Sequence, residues 1–377
     1  MADKFRWRLY QQLLSYYQGE LKEDYFEDSP EQRLYRKIYF ETFRHLGFIE
    51  KTLSAFYKTT PNVDARASMA VGACQILFMD DVPDYAAVNE SVSMVPMGRR
   101  KFVNAILRNI GRQKEQILKG YDVKQDFPEW FVKRWEKRLG KDLETFLKDL
   151  NSKPSFYSVD PDSYEIEKVE EKSDGYIMDY ASFQVARIAG DCMPMSVIDC
   201  CAAPGGKTFS LSGKYPDAKI FSVEKNPDRF DVLKKNVSRL GLGNVECVNS
   251  DILEMDTEAK FDLVLLDAPC SALGTIKRHP EVRWLRDEQE IGRNAKRQFE
   301  MLKKVSKMMA EGGRLIYSVC SLEPEETTMN IERFLRKNPK FRLVKPECDE
   351  KFIDGDYFVS IPYRTDSDGF FAAVLTK

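Results

Sequence analysis

Two short segments in the C-terminal half put a cysteine directly after an apolar run. They are Leu266-Asp267-Ala268-Pro269-Cys270-Ser271 and Tyr317-Ser318-Val319-Cys320-Ser321. Each run has the length and composition of a buried strand, so each cysteine falls at a strand's C-terminal end. In open α/β sheets that edge is where ligands bind. Two thiols converging there point to covalent catalysis, because a thiolate is the strongest nucleophile among the side chains.

A second constellation surrounds the first. The run Val197-Ile198-Asp199-Cys200 leads into Cys201-Ala202-Ala203-Pro204-Gly205-Gly206-Lys207-Thr208 and then a helical pattern. Such a small-residue turn from strand to helix lets a ligand reach backbone N–H groups. Gly206-Lys207-Thr208 imitates the end of a phosphate-binding P-loop, but that motif needs an earlier glycine where this chain has Cys201. The dinucleotide pattern G-x-G-x-x-G is also absent. Acidic residues at the ends of the following strands fit S-adenosylmethionine instead. Glu224 can accept both ribose hydroxyls, Asp251 can reach the adenine amino group, and Asp267 lies near the methionine end and the reaction centre. Lys207 can supply electrostatic support to substrate or cofactor.

These groups need a scaffold, and the chain supplies one. From about residue 176 onward strands and helices alternate. The strands are Val197–Cys200, Lys219–Val223, Val245–Asn249, Asp262–Asp267 and Arg314–Val319, and Tyr357–Ile361 with Phe370–Leu375 forms a closing hairpin. That order predicts a doubly wound, largely parallel sheet. From residue 5 to about 150 the apolar spacing is helical, as in Leu46, Ile49, Leu53 and Phe56. Helices are predicted over Ala67–Leu77, Asn89–Val95 and Phe102–Ile110, punctuated by Pro61, Pro83, Pro96 and Pro128. Residues 151–178 read as a short linker or a reduced β element.

Composition narrows the class. The 377 residues are 43% hydrophobic and 31% charged, which is ordinary for a globular chain of two domains. No apolar run is long enough for a membrane span, and the charged N-terminus leads into no apolar secretory segment. The eight cysteines lack a disulfide framework and fit reduced thiols in a cytoplasm. Cys74, Cys192 and Cys200 read as small buried hydrophobes. With two histidines and no CxxC, a metal site has no basis. The net charge of −2 argues against broad nonspecific nucleic-acid binding. It hides a basic stretch from Arg99 to Arg138 and an acidic one from Asp160 to Asp179. The basic stripe is compatible with phosphate contacts and equally with a solvated helical face.

The motifs resemble those of the RNA cytosine-5 methyltransferases of the Sun/RsmB family. Asp199–Thr208 is similar to the family's first cofactor motif. Asp267-Ala268-Pro269-Cys270-Ser271-Ala272-Leu273-Gly274, with Arg278-His279-Pro280 and Trp284, is similar to its fourth. Tyr317–Ser321 with Pro324-Glu325-Glu326 resembles its sixth, and Asp368-Gly369-Phe370-Phe371 its C-terminal signature. Asp179-Tyr180-Ala181-Ser182 resembles the segment that leads into the catalytic domain. In the N-terminal half, Val88–Val92 and Phe102–Arg108 resemble a NusB-like helical domain, and Phe127-Pro128-Glu129-Trp130 with Arg134 its connector. RsmB-type members, which act on 16S rRNA, carry that domain before the same core.

The resemblance implies an all-α NusB-like RNA-binding domain at 1–150. It implies a seven-stranded Rossmann-like S-adenosylmethionine-dependent methyltransferase domain at 179–377, in a cytoplasmic protein with no membrane or metal partner. The implied cofactor set is Cys201, Ala202, Ala203, Pro204, Gly205, Gly206, Lys207, Glu224, Asp251 and Asp267. The implied catalytic set is Cys320 as nucleophile, Cys270 as the group that assists elimination, and Asp267 on the activated base. Sequence alone does not order the two cysteines, so their roles rest on the resemblance. The implied substrate is RNA, with 16S rRNA first and the same chemistry on tRNA or another rRNA site as the alternative. A vestigial NusB-like assembly factor is the competing class, and DNA methylation is disfavoured by the two cysteines in these two motifs. The segment Lys277–Trp284 offers charge and an aromatic face for RNA backbone, with His279 outside the catalytic set. Two departures fall in the region that helps seat RNA in the family. Phe156-Tyr157-Ser158-Val159-Asp160 replaces the usual Leu-Arg-Val-Asn, and Met178 stands where glutamine is usual.

Overall fold

A computed structural model describes residues 4–20, 32–170 and 175–377. The first residues of the expected helical domain, its segment 21–31, and residues 171–174 of the acidic stretch lie outside the described residues. The chain forms two compact units. One contains Met1–Asn151 and His279–Leu285, the other Ser152–Arg278 and Arg286–Lys377.

The first unit is helical. Its helices are α1 (Lys4–Tyr17), α2 (Arg33–Arg44), α3 (Leu46–Ser54), α4 (Val63–Phe78), α5 (Asp84–Ser93), α6 (Met97–Arg112), α7 (Lys114–Lys119), α8 (Glu129–Leu139) and α9 (Leu143–Leu150). α4 is buried along nearly its whole length, and its alanines Ala67, Ala70 and Ala73 let neighbouring helices approach closely. Pro83, Pro96 and Pro128 occupy the N-cap positions of α5, α6 and α8. A proline there forgoes no intrahelical hydrogen bond and fixes an extended approach to the first turn. The helix expected over Asn89–Val95 begins earlier, because Pro83 sets its start.

The segment His279–Leu285 belongs to this unit, not to the sheet-bearing one that precedes and follows it. Arg283 is fully buried there. Its NH1 donates to Asp126 O at 3.0 Å and Asn151 Oδ1 at 2.7 Å, and its guanidinium lies 4.0 Å from the Phe127 ring centroid. Trp284 Nε1 donates to Phe43 O at 2.7 Å. This corrects the expectation that Lys277–Trp284 offers charge to RNA. Lys277, Glu281 and Arg283 are buried, and of these residues only His279 is exposed. The cation and the indole are spent on backbone carbonyls that helix ends leave unpaired.

The second unit opens with a three-stranded antiparallel sheet of β1 (Phe156–Val159), β2 (Ile166–Val169) and β3 (Tyr176–Met178), ordered β2-β1-β3. It fills the stretch read as a linker or reduced β element. After α10 (Tyr180–Val185) comes the large sheet. Its strands are β4 (Ser196–Cys200), β5 (Lys219–Glu224), β6 (Val245–Asn249), β7 (Phe261–Asp267), β8 (Met309–Val319), β9 (Arg342–Val344), β10 (Ile353–Asp354), β11 (Tyr357–Ser360) and β12 (Phe370–Thr376). The intervening helices are α11 (Gly206–Lys214), α12 (Pro227–Arg239), α14 (Glu288–Val305) and α15 (Thr328–Lys337); α13 (Val282–Leu285) lies in the first unit.

The strand order is β10-β11-β12-β8-β7-β4-β5-β6, with β9 paired to β12. β6, β5, β4, β7 and β8 run parallel, and β12 and β11 are antiparallel. The seven expected strands are therefore present, and β9 and β10 bring the sheet to nine. Both additions are too short to show alternation in sequence. β7 reads Phe-Asp-Leu-Val-Leu-Leu-Asp, and Leu263 to Leu266 are fully buried. Near-continuous apolar character is what a parallel strand covered on both faces requires. Each such side chain contributes about 1.5–3 kcal/mol on burial. β4, β7 and β8 lie side by side, so their C-terminal ends form one edge.

Candidate active site

Parallel register decides which side chains meet at that edge. Asp267 pairs in register with Ser318, so the segments that leave β7 and β8 depart side by side. Cys270 and Cys320 follow on those segments, and their sulfurs stand 3.3 Å apart. Both are free thiols, as are the other six cysteines. Cys74 and Cys200 are fully buried as expected, but Cys192 is only half-buried, with its sulfur 3.6 Å from the Tyr215 hydroxyl. A polar neighbour and partial exposure replace the wholly apolar site expected of it.

The Cys270 thiol is pushed well above its ordinary value, first by its hydrogen bond to Cys320 and then by burial. The negative charge of Glu326 adds to the effect. The two sulfurs share this hydrogen bond, and either can be its donor. Lys207, in the first turn of α11, lies across from them. Its ammonium donates to Asp267 Oδ2 at 2.7 Å, while Ser318 Oγ donates to Asp267 Oδ1 at 2.8 Å. Burial alone would lower the Lys207 ammonium. The charge of Asp267, its hydrogen bond and the charge of Cys320 outweigh that and hold it above its ordinary value. A cation, a carboxylate and a thiol pair thus share one strand edge.

Backbone geometry fixes the loops. Cys201 has a φ of 64° and Gly205 a φ of +107°, both left-handed, as the chain reverses from β4 into α11. Gly205 is the residue type that takes such a φ without strain, whereas Cys201 is held there by the turn. Gly274 N donates to Cys320 O at 3.0 Å, and Gly369 N to Gly274 O at 2.8 Å. A Cβ on Gly274 would sit 2.0 Å from Gly369 O, so only glycine fits where the two motif loops cross. Arg278 completes the frame, with Nε donating to Asp368 Oδ2 at 3.0 Å and NH2 lying 3.6 Å from Asp179 Oδ2.

Beside the thiols lies a cleft of about 360 Å³. It brings together Cys201, Glu224, Asp251 and Pro269. Ala202, Ala203, Pro204, Gly205, Gly206, Lys207 and Asp267 are not among its lining residues. The cleft also contains Arg229, Arg297 and Met301, which no sequence signal singled out. Glu224 Oε1 accepts from Asn226 N at 2.8 Å, but its Oε2 is buried and accepts no hydrogen bond. The nearest cation, Arg229 NH2, is 3.8 Å from it. An orphaned buried carboxylate oxygen on a cleft fits a ligand that carries hydroxyl donors, as the ribose of S-adenosylmethionine does. Asp251 is more fully engaged, accepting from Lys225 Nζ at 2.6 Å and Leu253 N at 3.0 Å. Burial would raise its carboxyl, but these donors outweigh burial and hold it below its usual range.

Residues 193–376 match the family model described as 16S rRNA methyltransferase RsmB/F, and residues 5–112 match the NusB family. The chain belongs to the RsmB/F methyltransferase family. It is similar to ribosomal RNA small subunit methyltransferase B of Escherichia coli O1:K1 / APEC, at 28% identity over 89% of this chain and 87% of the relative. The protein of that name from Shigella sonnei (strain Ss046) matches to the same extent. Among solved structures, NSun6 from Pyrococcus horikoshii with SFG is 28% identical, with a TM-score of 0.50 over 57% of this chain and 59% of that one. The crystal structure of PH0851 covers 100% of both chains with a TM-score of 0.76 and 22% identity, a likeness of fold. This RsmB/F family member is an S-adenosylmethionine-dependent RNA methyltransferase with a NusB domain. Among the described residues no helix is long and apolar enough to cross a membrane.

Proposed function

We propose that the protein transfers a methyl group to C5 of a cytosine in 16S rRNA through a covalent adduct, in the cytoplasm. The observation that carries this reading is the pair of sulfurs 3.3 Å apart beside the Lys207–Asp267 ion pair. Cytosine C5 is a poor nucleophile until a thiolate adds to C6. Cys320 is assigned that role from its resemblance to the family's sixth motif, with Cys270 hydrogen-bonded to its sulfur. As the C6–S bond forms, the C5=C6 electrons move onto C5. S-adenosylmethionine, when bound, would supply an electrophilic methyl group to that carbon, the S–CH3 bonding pair remaining on its sulfur as a thioether leaves. The C5 proton then leaves to a base, its bonding electrons restore C5=C6, and the C6–S electron pair returns to the Cys320 sulfur. Cys270, hydrogen-bonded to that sulfur, assists the departure. Asp267 hydrogen-bonds the activated base.

Glu224 is assigned to the ribose hydroxyls and Asp251 to the adenine amino group. The turn Cys201, Ala202, Ala203, Pro204, Gly205 and Gly206 is assigned to the methionine end, with Lys207 and Asp267 where cofactor and base meet. The base leaves its stack to reach such a site, and unpaired RNA allows this at least cost. Bisulfite sequencing of total RNA from cells with and without the gene tests the reading. Loss of one 16S cytosine mark is expected. Loss in tRNA or 23S rRNA would overturn the substrate, and no loss in any RNA would overturn the C5 chemistry.

A further inference from the structure

Glu326 belongs to the Pro324-Glu325-Glu326 motif, to which the reaction above gives no part. Its side chain is fully buried, yet among the described residues no cation pairs with it. Its oxygens face donors instead. Oε1 accepts from Ser271 N at 2.8 Å and Gln298 Nε2 at 3.1 Å, and Oε2 accepts from Ser271 Oγ at 2.6 Å. Ser271 is the residue after Cys270. Gln298, also fully buried, donates from the same Nε2 to Pro269 O at 3.0 Å, on the residue before Cys270. The backbone on both sides of Cys270 is therefore clamped by one Gln–Glu pair.

The clamp is tied to the other cysteine as well. The Tyr317 hydroxyl lies 2.6 Å from Glu326 O and 3.0 Å from Gln298 Oε1. Tyr317 stands on β8, the strand that delivers Cys320. A charged acceptor at the centre of such a network is costly to bury unless every lone pair it exposes is met. An apolar filling would hold the loop with less penalty, so the carboxylate calls for a role beyond packing.

We propose that Glu326 is a positioning residue that, with Gln298, fixes Cys270 against Cys320 and so sets the rate at which the covalent RNA adduct is released. The proposal rests on the cysteine roles given above. The groups that act on the Cys270 thiol are Cys320, Glu326 and the Ala272 amide. The carboxylate of Glu326 adds to the effects that push the Cys270 thiol above its ordinary value. Glu326→Gln keeps the shape and loses the charge.

The test uses the full chain with transcribed 16S rRNA and S-adenosylmethionine, reading protein–RNA adduct on denaturing gels. Glu326→Gln is expected to release adduct about ten- to a hundredfold more slowly, as for other small misplacements of a reacting group. Ser271→Ala removes one donor and should slow release less. In a Cys320→Ser background, Glu326→Gln should shift alkylation of Cys270 by iodoacetamide to lower pH, which a merely structural role would not do. Cofactor binding reports folding in every variant, and if Glu326→Gln does not fold, Ser271→Ala carries the test. Release at the parental rate with an unmoved alkylation profile overturns the proposal. If Cys270→Ala itself accumulates no adduct, the cysteine roles fail and the proposal fails with them. If it does while Glu326→Gln releases normally, only the proposal fails.

Discussion

Cys270 and Cys320 face each other across 3.3 Å, and their shared hydrogen bond and burial push the Cys270 thiol well above its ordinary value. Sequence alone leaves the two residues equivalent, and separate substitutions distinguish their roles. Cys320→Ala should lower methyl transfer by about a thousandfold or more, as removal of a covalent nucleophile does. Cofactor binding, read by calorimetry, should stay near the parental value. Turnover at an undiminished rate would remove Cys320 from the mechanism.

Cys270→Ala should behave differently. Addition to C6 still proceeds, but the departing Cys320 sulfur loses the thiol hydrogen-bonded to it. The expected result is a slowly migrating protein–RNA species on a denaturing gel. An adduct from Cys320→Ala and none from Cys270→Ala would reverse the two assignments.

Glu224 offers a test of the cleft. Its Oε2 is buried without a hydrogen bond, so it gains one when a hydroxyl donor arrives. Hydrogen bonds to charged groups contribute about 1.5–3 kcal/mol. Glu224→Gln should therefore weaken S-adenosylmethionine binding by about ten- to a hundredfold. An unchanged dissociation constant would place the ribose elsewhere.

Asp199 predicts a pH effect on stability. Burial, which the hydrogen bond from Thr208 offsets only in part, pushes its carboxyl from 3.8 up to about 7. In that window the folded chain binds a proton that the unfolded chain has released, so stability falls as pH rises from 3.8 to about 7. Asp199→Asn should abolish this component. The variant should gain on the parent, by on the order of a few kcal/mol, above about pH 7 and lose the gain near pH 4. Denaturant midpoints across that range measure it, and parallel curves for the two proteins would sink the idea.

The basic stripe on α6 can be divided by its partners. Arg99 forms an ion pair with Asp64, whereas Arg100 and Lys101 are exposed to solvent. Reversing the charge at Arg100 and Lys101 should weaken RNA binding and reduce its salt slope by about one per lost phosphate contact. Binding with the parental slope would mark this face as solvated surface.

The sheet and the strand-end chemistry were legible because parallel strands announce themselves as apolar runs. Their C-terminal ends then fall at Cys200, Glu224, Asp267 and Val319. The three-residue β9 and two-residue β10 carry too few side chains to show a period. Gln298 was invisible because a polar residue within the apolar stripe of α14, beside Phe299 and Leu302, reads as an interruption. Glu326 stood in a motif without a role, since its donors come from the Cys270 loop and from α14. Lys277–Trp284 misled for a related reason. Charge and an indole in a loop imply solvent, and only the three-dimensional acceptors of Arg283 show otherwise.

The return of His279–Leu285 to the helical unit bears on how such a chain could have been assembled. A fragment ending at Asn151 would fold around an empty socket, with Asp126 O and Asn151 Oδ1 deprived of the guanidinium they accept from. The helical unit is thus not a detachable module appended to a methyltransferase. Its last piece is encoded within the stretch that follows Cys270, so recombination at the obvious boundary would damage both products, and the two units are constrained to be inherited together.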